Sequence, residues 1–556
     1  MQRTKIGDYL LTRLEQCGIR SVFGVPGDFN LTALELLAQR SQMEWVGCCN
    51  ELNAAYAADG YARMHGAAAL MVTYGVGDLS AINGVAGSFA EHVPVICISG
   101  IPPMHALRNR MLLHHTSGTG NLEDVLHCMA QFTAAQARIT PANAAAEIDR
   151  VLCTALREKR PVYLQIPSDI VYLEIEAPQD ALDWSPRLAD PAQLARAVDA
   201  IAARLESAAR PAILVDGDAH RFGLRPLVCA LGQSLGIPFA AMASGRSIFD
   251  EQNPLYRGLY AGDGSPAAET IENSDCLLAL GVRFFDSTTG IFTHGIDERQ
   301  MIQLEPFSVN CQGNIYEGVT AADVLRALGE RFANAAPRTI PAPAPLPAFQ
   351  SPVASSETRL THASLWPRME RFFTANDVVL AEAGTSFSGI CGIRLPAGAA
   401  FISQAVWGSI GYTLPAMLGS MKAAPERRHL LFIGDGSLQM TAQEISTLLR
   451  HGLQPILFVI NNRGYTIERV IYGPDSSYNQ IQNWSYTTLP AVFGPANPVR
   501  SFSVATLGQL DAALDAISAH PCFTIVELHM DPMDTPASLA AMGPRVAEFD
   551  YGKPAE

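Results

Sequence analysis

Short, uniformly apolar runs alternate along this chain with longer amphipathic stretches. Residues 21–25, 68–73 and 93–99 read as strands, each ending in glycine or a polar turn. Residues 211–215 and 276–281 repeat the pattern, as do 378–381, 429–433 and 454–460. A strand that is apolar at every position is buried on both faces, so the pattern predicts parallel sheets with helices on either side. Two stretches interrupt it. Residues 174–191 are polar with three prolines, and residues 335–352 carry prolines at 337, 341, 343, 345, 347 and 352. The second stretch favours an extended, polyproline-like linker. The expectation is an α/β fold of three doubly wound parallel-sheet domains, 1–180, 192–334 and 355–556. Ligands in such sheets sit at the carboxyl ends of strands. No short-period repeat stands out.

Composition narrows the class. The 556 residues hold 39 Lys and Arg against 54 Asp and Glu, a net charge of −15, with 48% hydrophobic and 17% charged residues. That is apolar enough for large cores, and the excess acid repels nucleic acid and anionic membranes, so neither is expected as a partner. Arg3, Lys5, Asp8 and Arg13 interrupt residues 1–14, so no signal peptide is expected. No uncharged apolar run reaches the roughly 18 residues of a membrane span. The 11 cysteines are scattered, and Cys48-Cys49 is the only local pair. Without Cys-x-x-Cys spacing, neither a zinc module nor a disulfide framework is expected, and a reducing cytoplasm is the expected compartment.

The most informative stretch runs from Gly434 to Asn462. A buried-strand run, Leu430 to Ile433, ends in Gly434-Asp435-Gly436-Ser437. An amphipathic helix should follow, with Met440, Ile445, Leu448 and Leu449 on its apolar side, and then a second strand closing in Asn461-Asn462. Asp435 and Asn462 are 27 residues apart, about one βαβ unit. Such a unit brings both strand ends to one rim, where a carboxylate and an amide oxygen converge. Both are hard oxygen ligands suited to Mg²⁺ that also holds a diphosphate. Gly436 would let the backbone approach the anion, and the helix N-terminus offers it free N–H groups. Gly-Asp-Gly-Ser alone is usually just a turn. Followed by a full βα unit and a strand ending in Asn-Asn, it resembles the signature of the thiamine diphosphate enzymes.

The resemblance runs along the whole chain. The first block carries Gly24-Val25-Pro26-Gly27-Asp28-Phe29-Asn30, Asn50-Glu51, Gly75-Val76-Gly77-Asp78-Leu79-Ser80 and Leu113-His114-His115-Thr116. The third carries Trp407-Gly408-Ser409-Ile410-Gly411 and Asn462-Arg463-Gly464-Tyr465-Thr466-Ile467-Glu468. Together these resemble the pyruvate and indolepyruvate decarboxylase family. That family has pyrimidine-binding, middle and diphosphate-binding domains in this order. It converts 2-keto acids to aldehyde and CO₂ through an ylide and an enamine of thiamine diphosphate, with Mg²⁺.

By this resemblance Glu51 is the glutamate that hydrogen-bonds N1′ of the aminopyrimidine. Such a carboxyl needs a non-polar pocket, and its apolar neighbours Leu52 and Ala54 to Ala58 suggest a buried helix start. Ile410 is the wedge beneath the bent cofactor, and Gly408 offers its carbonyl to the 4′-amino group. Asp435, Asn462 and the Gly464 carbonyl hold Mg²⁺. Thr385, Ser386, Gly436, Ser437, Tyr465, Thr466 and Ile467 are candidates for cofactor contacts. Asp28, His114, His115 and Glu468 match the residues that handle protons on the substrate side. In the family these blocks meet across a subunit interface, so a homo-oligomer, a dimer or a dimer of dimers, is expected.

A carboligase of the acetolactate synthase type shares this fold and cofactor, and a non-enzymatic protein on the same scaffold is the alternative of another class. The His114-His115 pair with Asp28 and Glu468 favours aldehyde release over ligation, and every proposed catalytic position holds a competent residue. For substrate choice, residues 281–290 lack the tyrosine that pyruvate-specific members show before Ser287-Thr288-Thr289-Gly290. Phe387 stands where those members carry tryptophan, Ala383 is small, and Ile467 should touch the substrate side chain. A larger cavity implies branched, longer or aromatic 2-keto acids in preference to pyruvate. The middle block offers no site residue except Ser287 at the pocket wall.

Overall fold

The computed structural model describes residues 2–186, 188–338 and 355–552. Most of the proline-rich linker expected at 335–352 lies outside the described residues. Three large sheets form, one in each block of the chain. The predicted strands are present with ends displaced by a residue or two, for example Asp377–Ala381, Arg428–Gly434 and Ile456–Asn461. They are buried almost throughout, as their unbroken apolar composition requires.

The first sheet has six parallel strands in the spatial order Glu44–Gly47, Ser21–Gly24, Ala68–Thr73, Val95–Ile101, Val162–Pro167, Gln136–Arg138. The third is ordered Ala400–Ile402, Asp377–Ala381, Arg428–Gly434, Ile456–Asn461, Phe523–His529, Val499–Val504, again all parallel. Numbered along each block, both sheets run 2-1-3-4-6-5, so each has its switch of direction between its first and third strands. The middle sheet departs from the all-parallel expectation. Five parallel strands are followed by the antiparallel Ser308–Cys311 and Asn314–Glu317. The connections before and between these last two strands are too short for a parallel crossover, which needs a dozen residues or more.

The polar stretch at 174–191 does not begin as a linker. Glu174–Ala177 is a strand that pairs antiparallel with Gln2–Lys5 and so closes the first block on its own N-terminus. Among the described residues no helix is long and apolar enough to cross a membrane.

The first and third blocks are clamped together by two helices, Glu51–His65 and Thr413–Ala423. They cross so closely that a Cβ on Gly60 would lie 2.0 Å from the Ala416 carbonyl oxygen, and one on Gly419 would lie 1.7 Å from that of Ala57. Only glycine permits this approach. A buried polar network locks the same contact. Arg63 donates to Asp59 at 2.6 Å, Tyr412 donates to Asp59 at 2.5 Å and Ser88 donates to its other oxygen at 2.8 Å. Apolar residues of both blocks share one core.

Candidate active site

The predicted residues gather at the carboxyl-end crevices of the first and third sheets, in two clusters. In the first sheet, the loop after Ser21–Gly24 is fixed by Asn30, which accepts from Gly27 N at 3.0 Å and donates to the Val25 carbonyl at 3.1 Å. This presents Asp28 to solvent. His114 Nε2 lies 2.7 Å from Asp28 Oδ2, and His115 Nε2 lies 3.9 Å from Oδ1. The His114 ring stacks on Phe29 with centroids 5.1 Å apart. His115 adopts a φ of 60°, and its carbonyl is seated where a Cβ on Gly75 would lie, at 1.9 Å. Sequence neighbours 113–116 thus join the 24–30 and 75–78 loops.

Asn50 caps the helix Glu51–His65, accepting from Asn53 N at 2.8 Å. The helix body is buried as predicted, but Glu51 itself is half-buried, so its start is more open than the apolar neighbours suggested. Its Oε1 lies 3.4 Å from where a Cβ on Gly77 would stand. Beyond Gly77, the fully buried Asp78 accepts from Gly75 N and from Ser99 Oγ, both at 2.9 Å, and from Tyr163 at 3.1 Å. Burial pushes Asp78 up to about 7 against these donors.

In the third sheet, Asp435 begins the helix that follows Arg428–Gly434. Its Oδ1 accepts from Gly436 N at 2.8 Å and its Oδ2 from Gly464 N at 3.2 Å. Burial nonetheless pushes it up to about 6, against these donors and the nearby Arg469 guanidinium. The amide oxygen of Asn462 faces Asp435 Oδ1 at 3.2 Å and the Gly464 carbonyl oxygen at 2.9 Å. Turning the amide end for end would let its nitrogen donate to both and its oxygen accept from Thr466 Oγ1 at 2.8 Å. What occupies the site decides between the two orientations. With a cation among the three oxygens the inward oxygen is favoured. Thr466, which already donates to the Pro532 carbonyl at 2.9 Å, then accepts from the amide nitrogen. A buried, all-oxygen set of this kind fits Mg²⁺.

Gly436 also meets a packing need that the sequence did not indicate. A Cβ there would lie 2.6 Å from Tyr465 Cε1, so the missing side chain makes room for the tyrosine ring. Gly464, at φ 128°, would meet the Asn479 carbonyl at 2.0 Å if it carried a Cβ. The predicted single apolar face of the intervening helix is also corrected. The helix breaks at Ala442–Glu444, so Ile445, Leu448 and Leu449 are buried while Met440 is 50% exposed. The break lets Glu444 turn inward to accept from Asn53 at 2.7 Å and from Cys49 N at 3.2 Å.

Three further loops complete this side. Thr385 and Ser386 are buried at the start of Thr385–Cys391, after Gly384 at φ 135°. Ile467 Cδ1 lies 3.7 Å from a Cβ position on Gly384, which stands in sequence between Ala383 and the helix that carries Phe387. Ser437 is buried, and Glu468 is exposed on Thr466–Ile471. Gly408, at φ 64°, is exposed and Ile410 half-buried. Their loop is pinned by the first block: Ser409 Oγ lies 2.6 Å from Tyr56 OH, and Glu91 accepts from Val406 N at 2.8 Å. Ser287 donates to the Ala405 carbonyl at 3.0 Å and so braces this loop.

Three family models match the chain in succession: the N-terminal TPP binding domain of thiamine pyrophosphate enzymes over residues 4–124, their central domain over 198–328 and their C-terminal TPP binding domain over 386–528. An alpha-keto-acid decarboxylase of Mycolicibacterium paratuberculosis is 40% identical over 97% of this chain and 96% of its own. A pyruvate decarboxylase of Aspergillus terreus is 41% identical over 96% and 95%. The chain belongs to the thiamine diphosphate-dependent 2-keto acid decarboxylases. Its cofactor is therefore thiamine diphosphate, with Mg²⁺ as the family's usual metal, and its chemistry is that of a carbon–carbon lyase.

Several residues that organise this decarboxylase site were not anticipated. Glu382, fully buried at the end of Asp377–Ala381, accepts from Thr413 Oγ1 at 2.5 Å and from Ala383 N at 3.2 Å. It ties the 383–386 loop to the 408–413 loop, and burial pushes it up to about 7. Arg469 donates to the carbonyls of Asn462 and Arg463, at 3.3 and 2.8 Å, and so holds the 462–464 loop. The position of Glu382 directly after an apolar strand was a usable signal. For Arg469 and Glu91 there was none, because their partners are set by loop geometry.

Proposed function

We propose that this decarboxylase prefers 2-keto acids of five or more carbons, branched or aromatic, over pyruvate. The observation that supports it most is the wall formed around Gly384, where Ala383 is small and Ile467 supplies the apolar surface. Each additional buried methylene is worth about 0.8 kcal/mol. When bound, thiamine diphosphate supplies a nucleophilic carbon and accepts the electrons released with CO₂. Asp435, Asn462 and the Gly464 carbonyl hold Mg²⁺, while Gly436, Ser437, Thr385, Ser386, Tyr465 and Thr466 surround the diphosphate end. Gly408 and Ile410 would bear on the cofactor between its two ends, and Glu51 would hydrogen-bond its aminopyrimidine ring. Asp28, His114, His115 and Glu468 would deliver a proton to the carbon that has lost CO₂, where it stays as the aldehyde C–H, and would accept the hydroxyl proton that must leave as the carbonyl re-forms.

Each cluster is open on one side in a single chain. Apolar residues lie exposed beside both: Leu31, Val76, Leu79 and Leu112 near the first, Trp407 and Met440 near the second. This supports a homodimer, or a dimer of dimers, in which the first block of one subunit completes the third block of another. The acidic composition and unpaired cysteines support a cytoplasmic location.

The relative named pyruvate decarboxylase favours a second reading, in which pyruvate is the main substrate. A substrate panel on cofactor-saturated enzyme, following CO₂ and aldehyde together, separates the two. We expect equal amounts of both products and a higher kcat/KM for branched and aromatic keto acids. Preference for pyruvate would refute the pocket reading, and acetohydroxy acid as main product would refute simple decarboxylation.

A further inference from the structure

The two clusters differ in the kind of cation they could accept. The Asp435 set is buried and made wholly of oxygen. The Asp28 set offers two imidazole nitrogens and a carboxylate, all exposed, with one ligand atom from each lying within 4.8 Å of the others. Imidazole nitrogen suits Zn²⁺, Co²⁺, Ni²⁺ and Cu²⁺ and is a poor ligand for Mg²⁺.

We propose that Asp28, His114 and His115 form a second cation site, selective for Zn²⁺-like transition ions, and that its occupation stops turnover. Four features carry this. Both rings turn the same atom, Nε2, towards one carboxylate, at 2.7 and 3.9 Å. The rings are held in place, His114 by its stack on Phe29 and His115 by an edge contact with His114, centroids 4.6 Å apart and planes at 70°. The backbone of His115 is fixed by its carbonyl against Gly75. The side chains of His114, His115 and Asp28 are 58%, 34% and 46% exposed in a single chain, so an ion reaches them without opening that chain's fold, and in the oligomer it would share the entry path of the keto acid.

Zn–N and Zn–O bonds of about 2.0–2.1 Å place tetrahedral ligand atoms about 3.3 Å apart. The widest separation must therefore close by about 1.5 Å, within reach of rotations about the exposed side-chain bonds. Metal replaces the proton shared between His114 and Asp28, and that proton leaves to solvent. Two His and one carboxylate leave a coordination position open for water or the carboxylate of a keto acid. Binding follows from this geometry alone. Inhibition rests on the proton-handling role proposed above, because a coordinated imidazole can no longer deliver a proton at Nε2.

The test uses holoenzyme with saturating thiamine diphosphate and excess Mg²⁺, with Co²⁺ as the spectroscopic probe and Zn²⁺ as the inhibitor. We expect one Co²⁺ per chain, with visible ligand-field bands and no thiolate charge-transfer band. Zn²⁺ should reduce CO₂ release, and a chelator that spares Mg²⁺ should restore it. His114→Gln and His115→Gln should each weaken Co²⁺ binding by at least the roughly 10–100-fold that loss of even an outer-shell partner costs. Asp28→Asn serves if either variant fails to fold by circular dichroism. Cys49→Ser, which removes the exposed thiol, should change nothing. Unchanged Co²⁺ affinity in the histidine variants would overturn the site, as would a thiolate band lost in Cys49→Ser or displacement by Mg²⁺. Co²⁺ binding that depends on the histidines, with no Zn²⁺ inhibition, would keep the site. It would overturn both the inhibition and the proton-handling role.

Discussion

The first and third sheets share one strand order and one crevice, yet they hold opposite kinds of chemistry. At the carboxyl ends of the first stand Asp28, His114 and His115, exposed, with Glu51 half-buried. At those of the third stand Asp435 and Asn462, buried, with backbone carbonyls beside them. Exposed imidazoles and carboxyls exchange protons readily. A buried oxygen set keeps fixed charge and holds a cation and its anionic ligand still. The shared topology supplies only the crevice; the side chains placed in it decide its use.

The largest expected effect tests this division directly. Glu51→Gln should lower kcat by a factor on the order of 10²–10⁴ while thiamine diphosphate still binds, as followed by CO₂ release and by calorimetry. Asp435→Ala should do the reverse, weakening cofactor and Mg²⁺ binding by ~100-fold or more. If Glu51→Gln lost the cofactor and Asp435→Ala kept it, the division of labour between the sheets would be wrong.

Glu382 sharpens the comparison, because it is a buried carboxyl of the third sheet that stands outside the Asp435 set. Burial raises it from its ordinary 4.5 to about 7. Between those values the folded chain retains a proton that the unfolded chain has lost. Stability therefore falls as pH rises through this window and levels off above it. The size is roughly 3 kcal/mol across the window. Urea melts of the wild type against Glu382→Gln should show the difference in slope, and parallel curves would place the proton elsewhere.

A smaller effect is expected at the substrate wall. Ala383→Val adds two methyl groups beside Ile467 and should shift kcat/KM towards pyruvate by about fourfold for each carbon excluded from the cavity. An unchanged ratio of pyruvate to branched-chain turnover would remove Ala383 from the wall.

Much of this was legible in local pattern. The apolar runs located the strands, and Gly434 to Asn462 read as a βαβ unit with Asp435 and Asn462 at the strand ends, because such features depend on residues close in sequence. The shared order of the two sheets was not legible, since strand order depends on pairings such as that of Ala381 with Phe432. Met440 pointed the wrong way because the break at Ala442–Glu444 answers to Asn53 and Cys49, nearly four hundred positions earlier. That Ser287 has the Ala405 carbonyl as its partner was not legible either, because the two are 118 positions apart.

The sequence by itself determined which residue types were present for proton transfer and cation binding, and the short spacings that put Asp435 and Asn462 on one rim. Tertiary structure alone decided that Gly436 makes room for Tyr465, that Arg469 holds the 462–464 loop and that Glu382 joins two loops without reaching solvent. The physical reason is range. Hydrophobic period and turn chemistry act over a few residues, while close approach, burial and the pKa shifts that follow arise only where distant segments pack together.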